Sequence, residues 1–196
     1  VTRHFSIIPD CNNNGIHDEC DIKNGDSVDE NQDGIPDECI NWAAADGAWS
    51  NAANWDTGLV PNNDAEIKFA PTISGQQAEV DLDIDVTINA LRLLEEAMLS
   101  IAHGDLTLAI DGVRNDDLLM IEAGRTLRFD AAAELSGNGE VRLNATDAEL
   151  VGADALTITN RSTLAGFGKV VAALNNVENG GVVRADQTAC DGVCRS

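Results

Sequence analysis

Oxygen-bearing side chains recur at alternate positions near the start of the chain. They appear first in Asp10-Cys-Asn12-Asn-Asn14-Gly15-Ile16-His-Asp18 and again, nineteen residues later, in Asp29-Glu-Asn31-Gln-Asp33-Gly34-Ile35-Pro-Asp37. Oxygens at positions 1, 3, 5 and 9 of a loop, with glycine at 6, suit Ca²⁺, which takes six to eight oxygen ligands at about 2.3–2.6 Å. Gly15 and Gly34 permit the sharp turn because they lack a Cβ. Ile16 and Ile35 fall at position 7, where a backbone carbonyl ligates. Two Ca²⁺ ions are therefore expected, held by Asp10, Asn12, Asn14, Ile16, Asp18 and Asp21 in the first loop and by Asp29, Asn31, Asp33, Ile35 and Asp37 in the second. Position 12 separates the copies: Asp21 is shorter than the bidentate Glu of a standard loop, and Ile40 cannot ligate. The second loop must draw an oxygen from Glu38 or a neighbouring segment, or bind more weakly. Asp, Asn and Gly together also make solvated turns; it is the repetition in register that favours a metal.

These residues resemble the thrombospondin type 3 and dockerin-like calcium repeats, in the cysteine-bearing form common in secreted bacterial proteins, over about residues 10–40. The resemblance implies a calcium-stabilised, helix-poor coil wrapped around ions.

The surrounding charge agrees with cationic partners. The chain has 34 acidic and 12 basic residues, a formal net charge of −22, which excludes electrostatic binding of nucleic acid or an anionic membrane. Residues 1–41 hold ten acids and two bases, so without metal this segment repels itself and has too few apolar residues to offset its chain entropy. Five cysteines sit at the two ends: Cys11, Cys20 and Cys39, then Cys190 and Cys194. That clustering points to disulfide staples and an oxidising, extracellular compartment. Cys11 and Cys20 occupy positions 2 and 11 of one loop, so their pairing is geometrically reasonable. Cys39 is then left for an intermolecular bond, a free thiol or a pair with the tail, while Cys190 and Cys194 could close on each other. A zinc site is the competing use of these thiols, disfavoured because no Cys-x-x-Cys pair exists. No apolar run reaches membrane-spanning length. The start at Val-Thr-Arg reads as a mature chain after removal of an export signal.

From Trp42 onward the composition shifts to short alternating stretches. Glu79–Ile88 alternates polar and apolar residues, and Leu106-Thr-Leu, Leu127-Arg-Phe, Val141-Arg-Leu, Leu156-Thr-Ile and Val182-Val-Arg repeat the pattern in miniature. Leu135-Ser-Gly-Asn-Gly-Glu-Val141 matches Leu164-Ala-Gly-Phe-Gly-Lys-Val170 at an offset of 29, and shorter echoes recur at about 20. Drifting periods rich in Gly and Asn mark a solenoid of stacked rungs, here about five to seven rungs of roughly 20–29 residues. The helix-forming stretch Ala90–Leu99 is read as two strands turning at Glu95-Glu96. His103 is read as a solvated corner residue. Trp42, Trp49 and Trp55, three of the seven aromatics, are expected to cap the first rung, with a sugar-binding platform as the alternative. The region resembles bacterial surface β-solenoids, such as autotransporter-type passenger regions and large planctomycete-type cell-surface proteins, to about Asp186. The resemblance implies a right-handed parallel β-helix outside the cell.

The expected architecture is thus all-β: a calcium segment over 1–41, a β-solenoid over 42–186 and a Cys-containing tail over 187–196. No catalytic or cofactor-binding residues are expected. Asp116-Asp117 and Glu95-Glu96 read as turn acids, no Ser-His-Asp spacing stands out, and the chain is expected not to be an enzyme. The favoured function is a secreted, calcium-binding structural subunit of filament or surface-layer type that associates with itself head to tail, as a homo-oligomer or filament, through an uncapped last rung, unless the tail folds over that rung. The alternative is a cell-surface adhesin or glycan-binding module, and a polysaccharide lyase or hydrolase comes third. Neither nucleic-acid binding nor membrane insertion is expected.

Overall fold

The structure, a computed structural model, describes residues 10–11, 15–29, 34–63, 67–75, 77–158, 161–177 and 182–185. One α-helix, α1 (Asp18–Asn24), precedes the strands. The strands then run in chain order: β1 Asp46–Ala48, β2 Thr72–Ile73, β3 Ala78–Leu82, β4 Val86–Ile88, β5 Leu91–Leu93, β6 Ala97–Ile101, β7 Leu106–Leu108 and β8 Val113–Asn115. They continue as β9 Leu118–Ile121, β10 Thr126–Phe129, β11 Ala133–Ser136, β12 Glu140–Leu143, β13 Glu149–Ile158, β14 Thr163–Gly166, β15 Lys169–Val177 and β16 Val182–Ala185.

All named strand pairs are parallel, and each pair joins strands a full turn apart in the chain. The result is a parallel β-solenoid of about five turns with three faces. The first face is the sheet β1-β3-β6-β9-β12-β14-β16. The second stacks β4, β7, β10 and the starts of β13 and β15; the third stacks β2, β5, β8, β11 and the ends of β13 and β15. From β2 onward, steps between stacked residues run from 18, at Leu156 to Leu174, to 23, at Ala133 to Leu156.

Period-two alternation sends every second side chain inward, and parallel stacking aligns those side chains in columns. Val80, Leu99, Leu119, Val141 and Leu164 form one on the first face. Val86, Leu106, Leu127 and Leu150 form one on the second, and Leu91, Val113, Leu135 and Ile158 one on the third. All thirteen are buried, each contributing about 1.5–3 kcal/mol. The run Glu79–Ile88 is two strands rather than one, because the chain corners at Asp83–Asp85 between β3 and β4. The stretch 90–99 turns at Glu95-Glu96 between β5 and β6, with Glu96 at φ 62°.

The 29-residue offset is not the rung repeat. Leu135 to Val141 carries the chain from the third face to the first, whereas Leu164 to Val170 carries it from the first to the second. The shared Leu-x-Gly-x-Gly-x-Val is therefore a corner motif used at two different corners. Its first glycine passes close over the rung below. A Cβ on Gly137 would lie 2.2 Å from the Asn115 carbonyl oxygen, and one on Gly166 would lie 2.1 Å from that of Leu143.

At the N-terminal end Trp42, Trp49 and Trp55 are buried, their rings edge to face at centroid distances of 5.0 Å (Trp42–Trp55) and 4.8 Å (Trp49–Trp55). Trp49 Nε1 donates to the Pro61 carbonyl at 3.0 Å and Trp55 Nε1 to that of Trp49 at 2.9 Å. All three rings lie buried in the first turn and present no open face to solvent. No helix among the described residues is long and apolar enough to cross a membrane.

Candidate calcium loops

The two loops fold alike where they are described. The Gly15 N–H donates to Asp10 Oδ2 at 3.0 Å, and the Gly34 N–H donates to Asp29 Oδ2 at 3.0 Å. Both glycines take left-handed backbone, φ 85° and 84°, so position 6 folds each loop back onto its position-1 carboxylate. Asp18 and Asp37, both at position 9, are buried, as is Asp21 at position 12. The side chains of Ile16 and Ile35 point to solvent, as suits residues whose expected contribution is a carbonyl. Asn12, Asn14, Asn31 and Asp33 lie outside the described residues.

The two loops lead into different structures. The first runs into α1, which begins at Asp18 itself. The helix is capped by His17, whose Nδ1 accepts from the Glu19 N–H at 3.0 Å, and is ended by Gly25 in left-handed conformation. Asp18, Glu19 and Asp21 place negative charge in its first turn, where the helix dipole favours it. The second loop enters the solenoid instead. The Ala70 N–H donates to the Glu38 carbonyl at 3.0 Å, the Thr72 N–H to that of Ile40 at 2.9 Å, and the Trp42 N–H to that of Thr72 at 2.9 Å. Ile40 is fully buried in the core. Position 12 of the second loop has been given over to packing, which is why a ligand is missing there. The boundary expected at 41/42 thus falls inside a paired stretch. Glu38, expected as a substitute ligand, accepts a hydrogen bond from the Ser27 hydroxyl.

The disulfide joins Cys11 to Cys39, not Cys11 to Cys20. The Cα atoms of the bonded pair are 5.7 Å apart, within the range such a bond spans, while Cys20 sits exposed on α1 as a free thiol. The bond ties the start of the first loop to the end of the second. Closing this span restricts the unfolded chain, an effect of about 3 kcal/mol. Next to it, Asp18 Oδ1 accepts from the Cys11 N–H at 2.8 Å. Cys11, Asp18 and Cys39 are the one group of three such residues among the described residues with ligand atoms mutually within 4.8 Å. Since both sulfurs are bonded, it is not a thiolate site. No three carboxylates among the described residues converge so closely. Cys190 and Cys194, with the tail, lie outside the described residues.

The donor set nonetheless fits calcium. Asp18, Asp21 and Asp37 are buried carboxylates, and Ile16 and Ile35 offer backbone carbonyls at position 7. All are hard oxygen donors, as are the amides expected beside them.

Elsewhere the acids serve the turns. Asp116 accepts from Arg114 Nε at 2.9 Å and from the Asn138 N–H at 3.2 Å, and Asp117 accepts from the Glu96 N–H at 2.7 Å. At one corner Asp85 accepts from the Asp105 N–H at 2.9 Å, and Asp105 from the Thr126 N–H at 2.8 Å. This corner ladder went unnoticed in the sequence; acids spaced by one rung would have been its signal. His103 is exposed at a corner, 3.3 Å from Asp81, in keeping with its expected solvated role. Asp83 accepts from the Ser50 N–H at 2.9 Å and its hydroxyl at 2.5 Å. Burial would push the Asp83 carboxyl up, but the Ser50 hydrogen bonds, its own backbone and nearby His103 together bring it below its ordinary 3.8. A groove of about 820 Å³ along the third face is lined by Lys68, Arg92 and Arg114 together with Asp10, Asp111 and Glu134.

Comparison with known families, curated proteins and solved structures returns no match to this chain.

Proposed function

We propose that this chain is an extracellular bacterial structural protein in which two Ca²⁺ ions and a disulfide rigidify an N-terminal segment fixed to a self-associating β-solenoid. The observation that carries the reading is the matching turn of the two loops, with Asp10 and Asp29 each accepting from a left-handed glycine five residues on. Asp10, Asp18 and Asp21 would hold one ion with Asn12, Asn14 and the Ile16 carbonyl. Asp29 and Asp37 would hold the other with Asn31, Asp33 and the Ile35 carbonyl. A bound ion would supply the positive charge that this acidic segment lacks, and the ligands would then order the segment. The solenoid contributes a rigid rod whose subunits associate end to end, either head to tail or through like ends. Isothermal titration of the metal-free chain tests this: two Ca²⁺ per chain are expected, and no binding at millimolar Ca²⁺ would overturn it.

A second reading, a surface module that binds acidic glycans, has one supporting feature. In a strongly acidic chain, Lys68, Arg92 and Arg114 gather along one groove, interspersed with Asp10, Asp111 and Glu134. Binding of uronate-containing glycans on an array, lost in Arg92→Ala with Arg114→Ala, would support it.

A further inference from the structure

The two ends of the solenoid differ. At the start, residues 38–42 pair with 70–72, and Ile40 and three Trp rings fill the opening. At the other end the register stacks Val170 on Leu150, Leu174 on Leu156 and Val183 on Leu164, all core-facing columns. Leu150, Leu156 and Leu164 are buried, yet Val170, Leu174 and Val183 remain 38%, 38% and 48% exposed. Beside them Val171 and Val182 are 55% and 45% exposed. β15 pairs with β13 and β16 with β14, and among the described residues no strand stacks on their outer edges. Among the described residues, the core runs to this end and stops open to solvent.

Charge changes along the same axis. Residues 10–149 hold 30 acids and 7 bases, whereas residues 150–185 hold two acids and three bases. At this end, therefore, two copies can approach with far less acidic surface set against acidic surface than along the rest of the chain.

We propose that this open end binds the same end of a second copy, giving a two-fold, C-terminal-to-C-terminal dimer. The proposal rests on the self-association part of the functional reading and is independent of calcium. A head-to-tail contact would need an open column at the N-terminal end, and Ile40, Trp42, Trp49 and Trp55 occupy it. Across a two-fold axis, β16 meets its own counterpart antiparallel, so unpaired edge groups on each copy find partners. Such an isologous contact closes at two chains. The end face of a solenoid is small beside standard interfaces, so the dimer is expected in the micromolar range.

Sedimentation equilibrium of the full chain over a wide concentration range tests this, alongside Val183→Glu and Val171→Lys. The expected result is a monomer–dimer equilibrium that stops at two chains, persists in excess chelator, and weakens by about a hundredfold in Val183→Glu. Val171→Lys, which changes an outward-facing side chain and leaves the core column intact, is expected to weaken it as well. Fluorescence of the buried Trp cluster at the opposite end reports that each variant is folded. A monomer at every concentration, a mass that grows beyond two, or a dimer undiminished in both folded variants would overturn the proposal. Loss of the dimer on chelation would overturn its independence from calcium, whereas failure to bind calcium with the dimer intact would overturn only the calcium reading.

Discussion

Single residues carry the close stacking of one rung on the next. Gly166, at φ 116°, has the Leu143 carbonyl oxygen where a Cβ would sit. Gly166→Ala should therefore cost about 3 kcal/mol or more, from backbone strain plus overlap. Gly25, also left-handed but facing open space, should lose only about 1 kcal/mol when changed to Ala. Urea denaturation of the two variants would measure the contrast, and equal losses would contradict the stacking argument. The Ser50–Asp83 contact makes a prediction about pH. A carboxyl held below 3.8 in the folded state stabilises the fold above pH 3.8 and loses that contribution as pH falls toward its folded value. Ser50→Ala should thus be less stable than the parent at pH 6, by a few tenths to about 1 kcal/mol. The gap should narrow below pH 4 and vanish once Asp83 is protonated in both states, which thermal melts in matched buffers would show.

At the scale of elements, the second calcium loop and the solenoid share a residue. Ile40 stands where a twelfth ligand belongs, and it is buried instead among core side chains. Ile40→Asp restores a ligand type but places a charge in that core, so it should destabilise the solenoid by about 3–5 kcal/mol. Ile40→Ala should cost about 2–5 kcal/mol from the cavity alone; calorimetric scans with and without Ca²⁺ would separate these effects from metal binding. How much of this was legible depended on range. Alternation such as Leu106-Thr-Leu and the turn at Glu95-Glu96 are local, so the strands and corners could be read directly. The Leu-x-Gly-x-Gly-x-Val echo misled about the period because it marks a corner, and corners recur on more than one face. The Cys11–Cys39 bond depends on how the second loop docks against the first. Loop-internal spacing favoured Cys20, and nothing local could show α1 turning that thiol outward.

Across the whole molecule, stability in a stacked rod is close to a sum of nearest-neighbour terms, so an open end should fray before the middle. The central columns, such as Leu99, Leu119 and Val141, are buried between neighbouring rungs on both sides, whereas among the described residues Val170 and Val183 have a neighbour on one side only. The first turn escapes this asymmetry because aromatic rings and the docked 38–42 stretch take the place of a missing rung. Amide hydrogen exchange should therefore be slowest in β6, β9 and β12 and fastest in β15 and β16, with the N-terminal turn close to the centre. Association through the C-terminal end adds the missing neighbour, so protection of β16 should rise with protein concentration while that of β9 stays constant. Chelation should leave both unchanged and act on residues 15–29. If β16 is as protected as β9 in dilute monomer, the open core column is covered within a single chain, and the rod has no exposed end from which to assemble.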